Sequence, residues 1–210
     1  MNWSAIMYRG KVVSLKTGKI FFLRSYLEAE FLKLLDFDPS VKTYSYEAFA
    51  WEYDFNGRLR TYLPDFFVEF YDQRPCVVEV KPRHQLDHPK NLKKFSCGES
   101  CCEKLGYRYL VKTDEEIQKP YLLENVKFLR RFNVVVVPLE VQTQTVEILQ
   151  HGDRLRLDHL MRMIQTESKN LLVFIYSLLY AGKLVTELTH TPIHLKSYIW
   201  LPLEFGGKNV

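Results

Sequence analysis

Residues 62–82 read Y-L-P-D-F-F-V-E-F-Y-D-Q-R-P-C-V-V-E-V-K-P, and this stretch decides how the rest of the chain is understood. Apolar and polar residues alternate on both sides of Asp72-Gln73-Arg74-Pro75, whose residue types favour a turn. The spacing therefore predicts a β-hairpin with strands over 66–71 and 76–81. Side chains on a strand repeat every second residue, so Glu79 and Lys81 share a face. Asp65, at the mouth of the neighbouring strand, can sit beside them. Two carboxylates and an ammonium at one point suit Mg²⁺-dependent phosphodiester hydrolysis, in which a cation orients water and neutralises developing charge. Mg²⁺ takes oxygen ligands and keeps several waters. On this reading Asp65, Glu79 and the backbone carbonyl of Val80 are the metal ligands, and Lys81 touches the attacking water or the scissile phosphate. Pro64-Asp65 alone often just opens a strand, and Glu79-Val80-Lys81 alone fits many amphipathic strands; their order and separation carry the signal.

Composition sets the bounds. A chain of 210 residues holds one large domain or two small ones. Hydrophobic residues at 47% and charged residues at 26% are ordinary for a soluble globular protein. The formal net charge is +4, with 18 Lys/Arg against 14 Asp/Glu over residues 1–113 and 11 against 11 over 114–210. The whole surplus lies in the half that holds the hairpin, where attraction to phosphates should be centred. Cys76, Cys97, Cys101 and Cys102 are bunched and unevenly spaced, which fits a reducing cytoplasm better than a disulfide framework. The N-terminal residues lack the apolar core of a secretion signal, and no run is long and apolar enough to cross a bilayer. The expectation is a soluble cytoplasmic protein without membrane contact.

In chain order, residues 8–23 give two β-prone pieces around the turn Lys16-Thr17-Gly18-Lys19. Ser25 stands at an N-cap position with Glu28 three residues on, and Leu27, Phe31, Leu34 and Leu35 follow helical spacing, so residues 25–36 form an amphipathic helix. Glu28 has two compatible readings: it completes the cap, or it points from the helix toward the hairpin as a catalytic carboxylate. Residues 41–53 supply one or two strands, 54–57 a turn, and 58–65 the lead into the hairpin. A basic loop follows Lys81 and runs into a helix ending at Gly106, then a strand over 107–112. This element order is that of an α/β sandwich. A boundary near 117 separates a first domain, 1–117, from a second, 118–210. In the second, 121–131, 157–164 and 171–181 are helical, 146–149 is too short to assign, and 184–188 and 196–201 form a terminal two-stranded ribbon. Helices followed by such a ribbon suggest a small winged-helix-like module.

Competing chemistry is weaker. Cys97, Cys101 and Cys102 lack a second ligand pair at zinc spacing. His84 and His88 could reach DNA or metal, but the intervening loop and Pro89 argue for ordinary solvated histidines; His190 and His194 flank a turn with no carboxylate or cysteine cluster beside them, and a Walker-type phosphate loop is absent.

Taken together, S-L-K (14–16), R-S-Y-L-E-A-E-F-L-K-L-L-D-F-D-P (24–39), Y-L-P-D-F (62–66), V-V-E-V-K-P (77–82) and G-Y-R-Y-L-V-K-T-D-E-E-I (106–117) resemble the TnsA family of endonuclease subunits of heteromeric cut-and-paste transposases. The resemblance implies a restriction-endonuclease-like N-terminal domain that cuts the 5′ strands of double-stranded DNA at transposon ends. A TnsB-type transposase acts on the 3′ strands, and a TnsC-type AAA+ regulator engages the C-terminal domain. It implies a bacterial, nucleoid-associated protein using Mg²⁺, with Mn²⁺ as substitute. Residue by residue it places the catalytic helix Glu at Glu28, a further possible metal ligand, the metal-binding Asp at Asp65, the position two before the catalytic lysine at Glu79, and that lysine at Lys81. Glu30 lies two residues from Glu28 and so on another helix face. Candidates for a DNA track are Lys11, Lys16, Lys19, Arg24, Arg83, Lys90, Lys93 and Lys94, with solvated surface charge as the alternative for each. A stand-alone restriction or repair nuclease and a non-catalytic adaptor are the rival readings.

Overall fold

The computed structural model describes residues 10–150 and 154–202. The chain divides into two compact units, Met1–Lys119 and Pro120–Val210. Tyr8 and Arg9 of the first expected β-piece, and most of the stretch read for a secretion signal, lie outside the described residues.

The first unit opens with an antiparallel pair, β1 (Gly10–Val13) and β2 (Ile20–Leu23). Helix α1 (Tyr26–Phe37) follows and is capped by Ser25, whose hydroxyl accepts the Glu28 amide at 3.1 Å. Leu27, Phe31, Leu32 and Leu35 of α1 are buried in the main core. Near the end of the helix, buried Asp36 accepts from Ser14 Oγ at 2.8 Å, the Leu15 amide at 2.8 Å, the Lys16 amide at 3.2 Å and Tyr44 OH at 2.6 Å. That carboxylate ties the β1–β2 loop to the helix. The Lys16 ammonium donates to the carbonyls of Asp38 and Val41, so its charge serves the C-terminal end of α1.

Then come β3 (Val41–Tyr46), β4 (Trp51–Phe55), β5 (Arg58–Tyr62), β6 (Phe66–Phe70), β7 (Cys76–Val80), α2 (Pro89–Leu105), β8 (Arg108–Lys112) and the single turn α3 (Asp114–Ile117). The central sheet is mixed, in the order β3-β6-β7-β8, antiparallel except for the parallel β7–β8 pair. All five residues of β7 are buried, as a central strand covered on both faces requires. Phe66, Val68, Cys76, Val78 and Val80 belong to the α1-side core. The intervening positions face the other way, where Phe67 meets Phe49 and Tyr107 and α2 packs against β4 and β8. Residues 58–62, expected only as the lead into the central hairpin, form a strand of their own before it. They pair with β4 in a separate two-stranded sheet, because Asn56 (φ 57) and Gly57 (φ 73) are both left-handed, the geometry of a tight hairpin turn.

The second unit comprises α4 (Leu122–Leu129) with a 3-10 turn at Arg130–Phe132, α5 (Leu139–Leu149), β9 (Leu155–Arg156), α6 (Leu157–Met163), α7 (Leu171–Tyr180), β10 (Val185–Thr186) and β11 (Tyr198–Trp200). The expected ribbon is three-stranded, in the order β10-β11-β9 and antiparallel. The long loop before β11 is held by Asn125, whose side-chain amide donates to the carbonyls of Leu188 and Thr191 at 2.9 Å each while its carbonyl oxygen accepts from the Ile193 amide at 3.0 Å. Among the described residues no helix is long and apolar enough to cross a membrane.

Candidate active site

Strand β7 positions Glu79 and, just past its end, Lys81. The alternation predicted for the strand holds: the Lys81 ammonium meets Glu79 Oε1 at 2.9 Å. Asp65 sits at the entry to β6, and its Oδ2 accepts the Val80 amide at 2.7 Å, which pins the carboxylate against the neighbouring strand. Asp65 and Glu79 are 3% and 1% exposed. Val80 thus contributes its N–H to Asp65, a contact the sequence does not announce.

Glu28 lies on the first turn of α1 and is also buried. Its Oε1 accepts from Ser25 Oγ at 2.8 Å, and its Oε2 from the Arg24 amide at 3.0 Å and Tyr46 OH at 2.7 Å. The cap and the site are therefore one structure. Arg24 continues it: its Nε donates to Tyr46 OH at 3.2 Å, and its terminal nitrogens reach Asp65 Oδ1 at 3.2 Å and Glu47 Oε1 at 2.8 Å. Glu47, at φ 50, donates its amide to the Asp65 carbonyl at 3.0 Å. Glu30 faces elsewhere and accepts from Gln118 Nε2 at 2.7 Å.

Two tyrosines complete the centre. Tyr62 OH donates to Glu79 Oε2 at 3.0 Å and lies 2.7 Å from Tyr109 OH. Lys94, half-buried on α2, places its ammonium 5.3 Å from the Tyr62 ring centroid. Burial lowers the Lys94 pKa, and the nearby Glu79 carboxylate opposes that shift. Asp65 is pushed up to about 8, first by burial and then by the negative charges of Glu79 and Glu28, against the pull of the Val80 amide and Lys81.

Three buried carboxylates, Glu28, Asp65 and Glu79, with the first and last close enough to raise the pKa of the second, are oxygen donors that would suit a divalent cation. Among the described residues no group of three His, Cys, Asp or Glu side chains is disposed to hold a metal ion. Asp65 and Glu79 are the two carboxylates that could hold such a cation, with water in its remaining positions, the manner in which Mg²⁺ is commonly bound.

Of the remaining basic candidates, Lys11 and Lys19 are exposed on the β1–β2 hairpin, and Arg83, Lys90 and Lys93 are exposed before and along α2. Arg24 and Lys94 are drawn into the carboxylate centre, and Lys16 is committed to backbone carbonyls of the fold. His88 caps α2, its Nδ1 accepting the Lys90 amide at 3.3 Å. Sequence reasoning passed over Tyr46, Glu47, Tyr62 and Tyr109, which come from separated segments and form no local motif.

The first unit is a mixed α/β domain with buried acids and a lysine gathered at the end of adjoining strands. Residues 38–127 match the family model described as TnsA-like endonuclease N terminal, so this segment is similar to the N-terminal domain of TnsA-like endonucleases. The matched segment contains Asp65, Glu79 and Lys81 and begins after Glu28. No curated protein matches the chain.

Proposed function

We propose that the protein is a Mg²⁺-dependent DNA endonuclease subunit of a cut-and-paste transposase, acting at the bacterial nucleoid. It cleaves the 5′ strands at transposon ends in concert with a TnsB-type transposase and a TnsC-type AAA+ regulator. The observation that carries this reading is the convergence of Asp65, Glu79 and Lys81, with Lys81 Nζ 2.9 Å from Glu79 Oε1, within a TnsA-like endonuclease domain. Asp65 and Glu79 would hold the cation, the Val80 carbonyl being a third candidate. When bound, Mg²⁺ supplies neutralisation of the phosphate and a polarised water. Lys81 keeps an ammonium at the carboxylate edge, where it can donate to the attacking water or to the phosphate oxygens. Glu28, through Tyr46 and Arg24, orients the Asp65 side of the site. The three-stranded ribbon and helices of the second unit support a winged-helix-like partner-binding role for residues 118–210.

The test is strand-specific cleavage of a transposon-end duplex with Mg²⁺, with and without the two partner proteins. Wild type with partners should nick the 5′ strand, and Asp65→Ala should lose that activity by on the order of a hundredfold or more. Equal activity of the two would leave the chain as a non-catalytic adaptor. Full cutting by wild type alone would make it a stand-alone nuclease.

A further inference from the structure

Glu79 has two carboxylate oxygens, and the structure gives them different partners. Oε1 faces Lys81, whereas Oε2 accepts from Tyr62 OH at 3.0 Å, and that hydroxyl lies 2.7 Å from Tyr109 OH. The single Tyr62 hydroxyl proton goes to Glu79 Oε2, so in the contact between the two hydroxyls Tyr109 must donate to Tyr62. The result is a one-way chain, Tyr109 to Tyr62 to Glu79.

Both rings are held by surroundings that serve this placement. Tyr62 is fully buried, with Trp51 edge-on at 6.0 Å and the Lys94 ammonium at 5.3 Å from its centroid. The Tyr109 ring lies against α2 at Gly98, where a Cβ would come within 2.3 Å of ring carbon Cε2. Glycine is a poor residue for a helix interior, and here its missing side chain makes room for the tyrosine.

We infer that Tyr62 and Tyr109, seated through Gly98, are positioning residues that hold Glu79 Oε2 and so leave Oε1, the oxygen shared with Lys81, as the one that faces a divalent cation. This inference rests on the nuclease reading above. Groups that hydrogen-bond a metal-ligating carboxylate set its orientation, and their loss typically weakens metal binding about 10–100-fold.

The experiment measures Mn²⁺ affinity of the full chain by electron paramagnetic resonance, without DNA, for wild type, Asp65→Asn, Tyr62→Phe, Tyr109→Phe and Gly98→Ala. Metal-free melting curves are recorded alongside. Tyr62→Phe should weaken binding about 10-fold or more. Tyr109→Phe and Gly98→Ala should each weaken it by less, and all variants should still melt cooperatively. In cleavage assays the half-saturating Mg²⁺ concentration should rise in the same order, with activity recovering at high Mg²⁺. Wild-type affinity in both Tyr62→Phe and Tyr109→Phe would overturn the inference while leaving the nuclease reading intact. A wild type that binds Mn²⁺ no better than Asp65→Asn would overturn both.

Discussion

Asp65 is buried beside Glu79 and Glu28, and the consequence is a pH dependence with a definite sign. Its ordinary value is 3.8, and the folded chain raises it to about 8. The folded state therefore holds the proton more tightly than the unfolded chain does. Stability drawn from Asp65 is fully present below about pH 4 and is lost as the pH rises through about 8. Thermal melts in chelator should show metal-free stability falling across that window, and Asp65→Asn should flatten the fall. Added Mg²⁺ should stabilise most toward the upper end, since ligation requires the deprotonated carboxylate. The two acids of α1 separate by the same kind of reasoning. Glu28 joins Ser25, Arg24 and Tyr46 around the site, whereas Glu30 is engaged by Gln118. Glu28→Ala should abolish Mg²⁺-dependent cutting, and Glu30→Ala should retain it while lowering the melting temperature. The reverse pattern in a cleavage assay would move the helix acid to Glu30. Neither tyrosine of the Glu79 chain could be found from local pattern, because Tyr62 and Tyr109 are distant in sequence and meet only across the fold.

At the scale of elements, the hairpin β6–β7 and helix α1 were legible to within about a residue, because turn residues and a capping serine bound clear periods of two and 3.6. Helix α5 was not. Its buried residues Val141, Thr145 and Leu149 form a narrow stripe through a segment of β-branched and polar residues, and its start at Pro138 carries no side-chain cap. Strand β9 covers only Leu155–Arg156, too short for any period to register. The β1–β2 loop illustrates tertiary control of an element that looks like a free turn. Asp36 binds four donors from that loop and from β3. Asp36→Ala should therefore destabilise the protein by about 3 kcal/mol in urea melts, since several buried donors lose their acceptor together.

At the scale of the whole molecule, the carboxylate centre is built entirely from residues of the first compact unit, Met1–Lys119. A fragment of residues 1–119 should melt cooperatively and bind Mn²⁺ as the full chain does, while residues 120–210 should bind none. Calorimetry and paramagnetic resonance on the two fragments check this, and a fragment 1–119 that folds without metal affinity would contradict it. The sequence by itself determined the hairpin, the shared face of Glu79 and Lys81, the placing of Asp65 beside them and the capped helix bearing Glu28. Each of these follows from local periodicity and side-chain chemistry that act over a few residues. Only the tertiary structure decided that Tyr62 and Tyr109 form a hydrogen-bonded chain to Glu79, that Arg24 joins Glu28 to Asp65, that Lys16 serves the fold, and that β5 pairs with β4 in a sheet of its own. Those outcomes depend on burial and on contacts between segments far apart in the chain, which no local period encodes.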